Sequence, residues 1–312
     1  MAATVHSRIV DLDELIPRPA DTKREDKDVQ DLIPWVFQEH NVARMDCMQD
    51  WSRDDGRFKG LFADLPTYGA RIRTWRMTEG RDACSTRMTE NLQPTAVVTI
   101  PQQNWSVSGQ QVMGRLLQYQ RPMLINLIAS VYMELEDVAI QLPRLRFPPI
   151  SSRMKYYIGK KEYGAIPQGR VIVNLWDYAL PILSYTAWWE GQTWNEFIGE
   201  TLTIMIGQLS ESLRMLGVNG EEVFVVGFHG KNFHIARGFF SRELITRAYL
   251  KGCSPADEVE LHFSRGYNLC LKEDWMEATR ALSRLIRYLL SGEAKLTALG
   301  SFLRGRHYAH AA

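Results

Sequence analysis

The stretch at 221–240, EEVFVVGFHGKNFHIARGFF, constrains this chain more than any other. It reads as two strands folded back over a turn. Val223 and Val225 point one way, while Phe224, Val226 and Phe228 point the other. Apolar residues on both faces require cover on both faces, as for a central strand beneath two layers of helices. Gly230, Lys231 and Asn232 supply the turn, since Gly and Asn tolerate positive φ. His229 and His234 flank that turn. As metal ligands they would need a third partner such as His262 or Asp177, and the spacing supplies none. They therefore read as surface histidines near a turn, with Lys231 solvated at its tip.

The elements around the hairpin follow from hydrophobic periodicity. Residues 169–191, GRVIVNLWDYALPILSYTAWWEG, form a strand-turn-strand pattern. The helix predicted over 193–216 carries Trp194, Ile198, Leu202, Met205, Leu209, Leu213 and Leu216 on one face. Glu196, Glu200, Glu211 and Arg214 lie toward the other. A closing amphipathic helix over 272–292 uses Trp275, Leu282, Ile286 and Leu289, with Gly292 as its C-cap. Upstream, 95–100 reads as a strand and 108–142 as a long helical pattern that Pro122 should kink or divide. Residues 1 to about 30 are charged, punctuated by Pro17 and Pro19, and read as an arm. A short helix over 28–41 and an irregular, charge-mixed stretch to Asn91 follow. The expected class is α/β, bordering on α+β: a mixed sheet flanked by helices, with a mostly helical and irregular N-terminal extension. The expected division is an extension over 1–94 and an α/β domain over 95–312. The terminal RGRHYAH reads as a disordered basic tail.

Composition narrows the functional classes. At 312 residues, 45% hydrophobic and with a net charge of +1, the chain has no global field drawing it to nucleic acid or anionic lipid. Any such attraction must be local, and 142–170 is the one strongly biased segment. There Arg144, Arg146, Arg153, Lys155, Lys160, Lys161 and Arg170 oppose only Glu162, with Phe147, Tyr156, Tyr157 and Tyr163 interleaved. Cations beside rings are what single-stranded nucleic acid binding uses, although a Pro-rich connection with solvated lysines fits equally simple physics. Cys47, Cys84, Cys253 and Cys270 are dispersed, which argues against a zinc knuckle or a disulfide framework and fits a reducing, intracellular compartment. The N-terminus lacks the apolar stretch of a signal peptide, and no run is long enough to span a bilayer. Trp188, Trp189 and Trp194 mark a core, a partner surface or the wall of a small-molecule pocket. Walker A, nucleophile-elbow, zincin and dinucleotide motifs are missing from the sequence.

The order strand, strand, helix, strand pair, with VNLWDYALPILSYTAW and MIGQLS, resembles the PD-(D/E)xK nuclease-like superfamily, in particular a fungal family of such domains. The resemblance covers about 165–292 and implies a restriction-endonuclease-like sheet. It places Asp177 at the family's Asp, Thr186 at its Glu, Trp188 at its Lys and Gln208 at its helical Gln. Phosphodiester hydrolysis of this kind needs two carboxylates for Mg²⁺ and a lysine beside the nucleophile. Thr186 and Trp188 supply neither charge. The resemblance thus implies a catalytically degenerate protein that binds a protein or nucleic-acid partner and needs no cofactor; homo-oligomerisation is left open. The alternatives are a Mg²⁺-dependent nuclease using Asp177 with Glu190 as a migrated acid, or an enzyme or binder with a tryptophan-lined pocket.

Overall fold

The computed structural model describes residues 1–18, 21–78, 94–101, 110–149, 152–175, 178–188, 192–216 and 220–310; at 75–78, 110–117, 187, 214–216 and 305–310 it describes backbone alone. The strands are β1 (Ala2–Ile9), β2 (Thr95–Thr99), β3 (Leu145–Arg146), β4 (Met154–Ile158), β5 (Lys161–Ala165), β6 (Gly169–Leu175), β7 (Tyr178–Trp188), β8 (Glu221–His229), β9 (Asn232–Phe240), β10 (Glu258–Phe263) and β11 (Tyr267–Asn268). The longer helices are α1 (Thr22–Asp31), α2 (Lys59–Thr78), α3 (Gln110–Glu134), α4 (Trp194–Leu216), α5 (Arg242–Lys251), α6 (Lys272–Ser291) and α7 (Thr297–His310). The protein is mixed α/β, with one large, largely antiparallel sheet flanked by helices.

Sheet order is β2-β1-β10-β9-β8-β7-β6-β3, with β11 on β9, and β4–β5 pair separately. The apolar hairpin is β8–β9, in register from Glu221↔Phe240 to His229↔Asn232. It lies mid-sheet, as its two-faced pattern requires. Phe224, Val226 and Phe228 enter a core with residues of α2, α3 and α6. Val223 and Val225 enter a second core with α4, β4 and the β1–β2 side of the sheet. Strand β7 is antiparallel to β6 and parallel to β8, and α4 makes the crossover. Parallel neighbours need such a connection, and a helix covering one face supplies it.

Several expectations give way here. The N-terminal arm is instead β1, an interior strand parallel to β10 and antiparallel to β2. Its small inward residues Ala3, Val5 and Ser7 are buried, a weak apolar signal that nonetheless fills the sheet face. The charged stretch behind it is α1, pinned to α6 by ion pairs. Glu25 accepts from Arg284 at 2.5 and 3.1 Å, and Asp28 accepts from Arg287 at 2.7 and 3.0 Å. Each set recurs at i, i+3, which puts it on one helix face. Finally, Pro122 does not divide α3, and the terminal basic stretch continues as the backbone of α7.

The biased segment 142–170 is built, not a loose connection. It contains the β4–β5 hairpin, whose tip residues Gly159 and Lys160 both have positive φ, 58° and 64°. That primed turn matches the twist of a two-residue hairpin. Its amides donate to the carbonyls of Ala248 (2.9 Å) and Tyr249 (2.8 Å), so the tip caps the open C-terminal end of α5.

Candidate functional site

The inward face of β7 carries Ser184, Thr186 and Trp188 at every second position, and α4 lies across it. Each meets a polar side chain of that helix. Ser184 Oγ donates to Gln208 Oε1 at 2.7 Å, Thr186 Oγ1 to Glu200 Oε1 at 3.0 Å, and Trp188 Nε1 to Thr201 Oγ1 at 3.1 Å. Thr186 is 1% and Trp188 0% exposed. The positions that the resemblance gives to Glu and Lys are therefore sealed under a helix.

Local sequence explains why tryptophan fits there. Gly227 sits opposite Thr186 on β8, and a Cβ at that glycine would meet the Trp188 ring at 2.8 Å. The missing side chain makes room for the indole. Trp188 packs on Phe197 with ring centroids 5.0 Å apart, and Phe197 meets Trp194 edge-on at 5.5 Å. Behind the strand, the Trp188 carbonyl accepts from Gln120 Nε2 at 2.9 Å. The same Nε2 lies 2.6 Å from the Tyr68 hydroxyl, which donates to the Gly230 carbonyl at 2.8 Å. The turn of the apolar hairpin is thus tied to the end of β7.

Glu200 corrects the sequence reading, which set it on the outer face of its helix. Its carboxylate turns in to Thr186 and also accepts from Gln192 Nε2 at 2.8 Å. Burial, partly offset by those two hydrogen bonds, pushes its pKa up to about 7. The residue as a whole is half-buried rather than fully enclosed. Nothing in the helical period marked it, because Glu196 one turn earlier faces outward in a capping box with Thr193.

His234 is a second correction. It is 1% exposed, its Nδ1 lies 3.3 Å from the Ser264 carbonyl, and burial holds its pKa down at about 3. Its ring centre lies 6.3 Å from that of His229, while His262 pairs instead with Glu260 at 2.8 Å. Among the described residues no three His, Cys, Asp or Glu side chains converge as a metal group would require.

Asp177, Glu190 and Trp189 lie outside the described residues. The strand joining that acid pair is described: β7 runs from Tyr178 to Trp188, roughly 30 Å end to end at ~3.3 Å per residue. Asp177 precedes one end and Glu190 follows the other. Gln208 is buried; its Oε1 accepts from Ser184, and its Nε2 has no hydrogen-bond partner among the described residues. The donor set on the described face, a hydroxyl already donating, an indole and one carboxyl, does not fit a hard divalent cation.

The basic candidates Arg144, Arg146, Arg153, Lys155, Lys160 and Lys161 are all exposed. Their aromatic neighbours are not a stacking platform. Tyr156 is fully buried and stacks on Tyr163 at 5.9 Å, and Phe147 packs on Tyr132 at 6.2 Å. Lys155 pairs with Glu162 at 3.0 Å, which also accepts from the Tyr157 hydroxyl at 3.0 Å. No helix among the described residues is long and apolar enough to cross a membrane. Compared with protein-family models and with curated proteins, the chain matches none.

Proposed function

We propose that this protein is a nuclease-like scaffold without phosphodiesterase chemistry, and that it acts by binding a macromolecular partner. The succession β6, β7, α4, β8, antiparallel then parallel, supports the nuclease-like half of the reading, because it is the order the resemblance implies. One observation carries the other half: Thr186 and Trp188 are buried and hydrogen-bonded to α4. A substrate phosphate has no way to them, and neither side chain brings the charge that grips a divalent ion or balances transition-state charge. Of the two partner classes, protein is favoured over single-stranded nucleic acid, since the rings of 142–170 are turned to packing. Exposed Met133, Ile140 and Leu142, on the end of α3 and the connection from it to the sheet-edge strand β3, give a protein partner apolar surface to cover.

The test is incubation of the full chain with single- and double-stranded DNA and RNA in Mg²⁺ and in Mn²⁺. No cleavage above a heat-inactivated control is expected, together with weak, salt-sensitive oligonucleotide binding. Metal-dependent cleavage that disappears in Asp177→Ala would overturn the proposal.

A further inference from the structure

A cavity of about 410 Å³ opens on the side of α4 away from Thr186, closed in by α5, the β4–β5 hairpin and the β1–β2 side of the sheet. Its lining does not include Trp188 or Trp194, so the tryptophan-walled pocket expected from sequence is not this one. Leu202, Ile206, Leu209 and Leu213 form its floor. They follow three turns of one helix, ~16 Å, so the space is long rather than round. Tyr156 and Ile158 of the hairpin and Leu244 and Ile245 of α5 form the walls. Apolar space of this size lies in the range of small-molecule sites, and its lining offers water little to bond.

Polar groups are few and placed. The buried Tyr156 hydroxyl makes no hydrogen bond of acceptable geometry, and neither does the neighbouring Thr203 hydroxyl. Tyr249 and Leu250, about half exposed, lie at the rim. Thr246 and Leu250 also line a separate, shallow depression on α5 whose charged residues are Arg242, Glu243, Arg247 and Lys251. Asp257, the one charged residue in the cavity's own lining, is neutralised by its pair with Arg247 and held by the Ser254 amide at 2.6 Å. Arg242 and Lys251 are exposed and make no ion pair among the described residues. A long apolar slot with uncommitted cations on the helix beside its mouth suits an amphiphile with an anionic head.

We propose that this cavity binds an unbranched fatty acid, with its chain along α4 and its carboxylate in the field of those cations. The site is separate from the sealed face of β7 and does not rest on the nuclease-like reading. Three turns of helix match the extended length of a dodecanoyl chain.

The experiment is a fluorescence titration of the full chain with dansyl-undecanoic acid, competed by dodecanoate and by dodecanol. Saturable one-to-one binding is expected, with dodecanoate displacing the probe about tenfold more strongly than the alcohol. Ile206→Trp, at a half-buried floor position, should fill the slot and weaken the probe tenfold or more. Because a core change can also harm folding, a second variant changes only exposed residues: Arg242→Glu with Lys251→Glu should weaken dodecanoate at least fivefold and leave dodecanol unchanged. Absence of saturable binding below the micelle concentration would overturn the proposal. So would full affinity in a folded Ile206→Trp protein, or a charge reversal that affects acid and alcohol alike.

Discussion

At the residue scale the account turns on what occupies two positions of β7. Trp188→Lys would restore the residue type that the resemblance implies, yet it buries an ammonium group beside Phe197, where Glu200 is already held by Thr186 and Gln192. The loss of ring packing and the desolvation of the charge together should cost at least about 3 kcal/mol in urea unfolding. A Trp188→Lys protein as stable as the parent would mean that the face is open. Glu200 gives a pH signature. Its pKa, raised to about 7 from 4.5, means the folded chain keeps a proton that the unfolded chain releases between those values. Stability should therefore fall as pH rises through that window and level off above it. Glu200→Gln removes the titration and keeps an acceptor for Thr186, so the variant should gain on the parent by roughly 2 kcal/mol between about pH 5 and about pH 8. Parallel pH profiles for the two proteins would contradict the buried assignment.

At the element scale, charge in the sequence proved a poor guide to solvation. TKREDKDVQD reads as part of a charged arm, but Glu25 and Asp28 are 2% and 4% exposed and meet arginines of α6. No local pattern reveals a partner 259 positions away. By contrast, α4, α6 and the β8–β9 hairpin were legible, because their apolar periods are long and their stops, such as Gly292 with φ 85°, are glycines. Glu25→Ala leaves Arg284, 4% exposed, without its bidentate partner and should cost about 3–5 kcal/mol in urea unfolding. Asp26→Ala, which removes only the 68%-exposed partner of Arg280 and leaves its contact with Glu25 in place, should cost under about 1 kcal/mol. Equal losses would show that burial does not set the strength of these pairs.

At the scale of the whole molecule, β1 joins the first residues of the chain to β10, more than 250 positions later. Residues of 10–72 share one core with β8, β9 and α6. Deleting residues 1–10 removes an interior strand and bares an edge on both β2 and β10. The truncated chain should lose cooperative thermal unfolding, as followed by circular dichroism; an unchanged Tm would show that the strand is dispensable. The alternation that places β1 was missed because its inward residues include Ala3 and Ser7, which carry little hydrophobic signal. The candidate site was legible only as absences at Thr186 and Trp188. The helix that seals them, and Glu200 turned beneath it, depend on how α4 rotates against the sheet, which a single helical period does not fix. The central claim is that this face no longer grips a metal ion. Isothermal titration of the full chain with Mn²⁺ tests it most directly: the account predicts no saturable heat, whereas stoichiometric binding that is lost in Asp177→Ala or Glu190→Ala would contradict it.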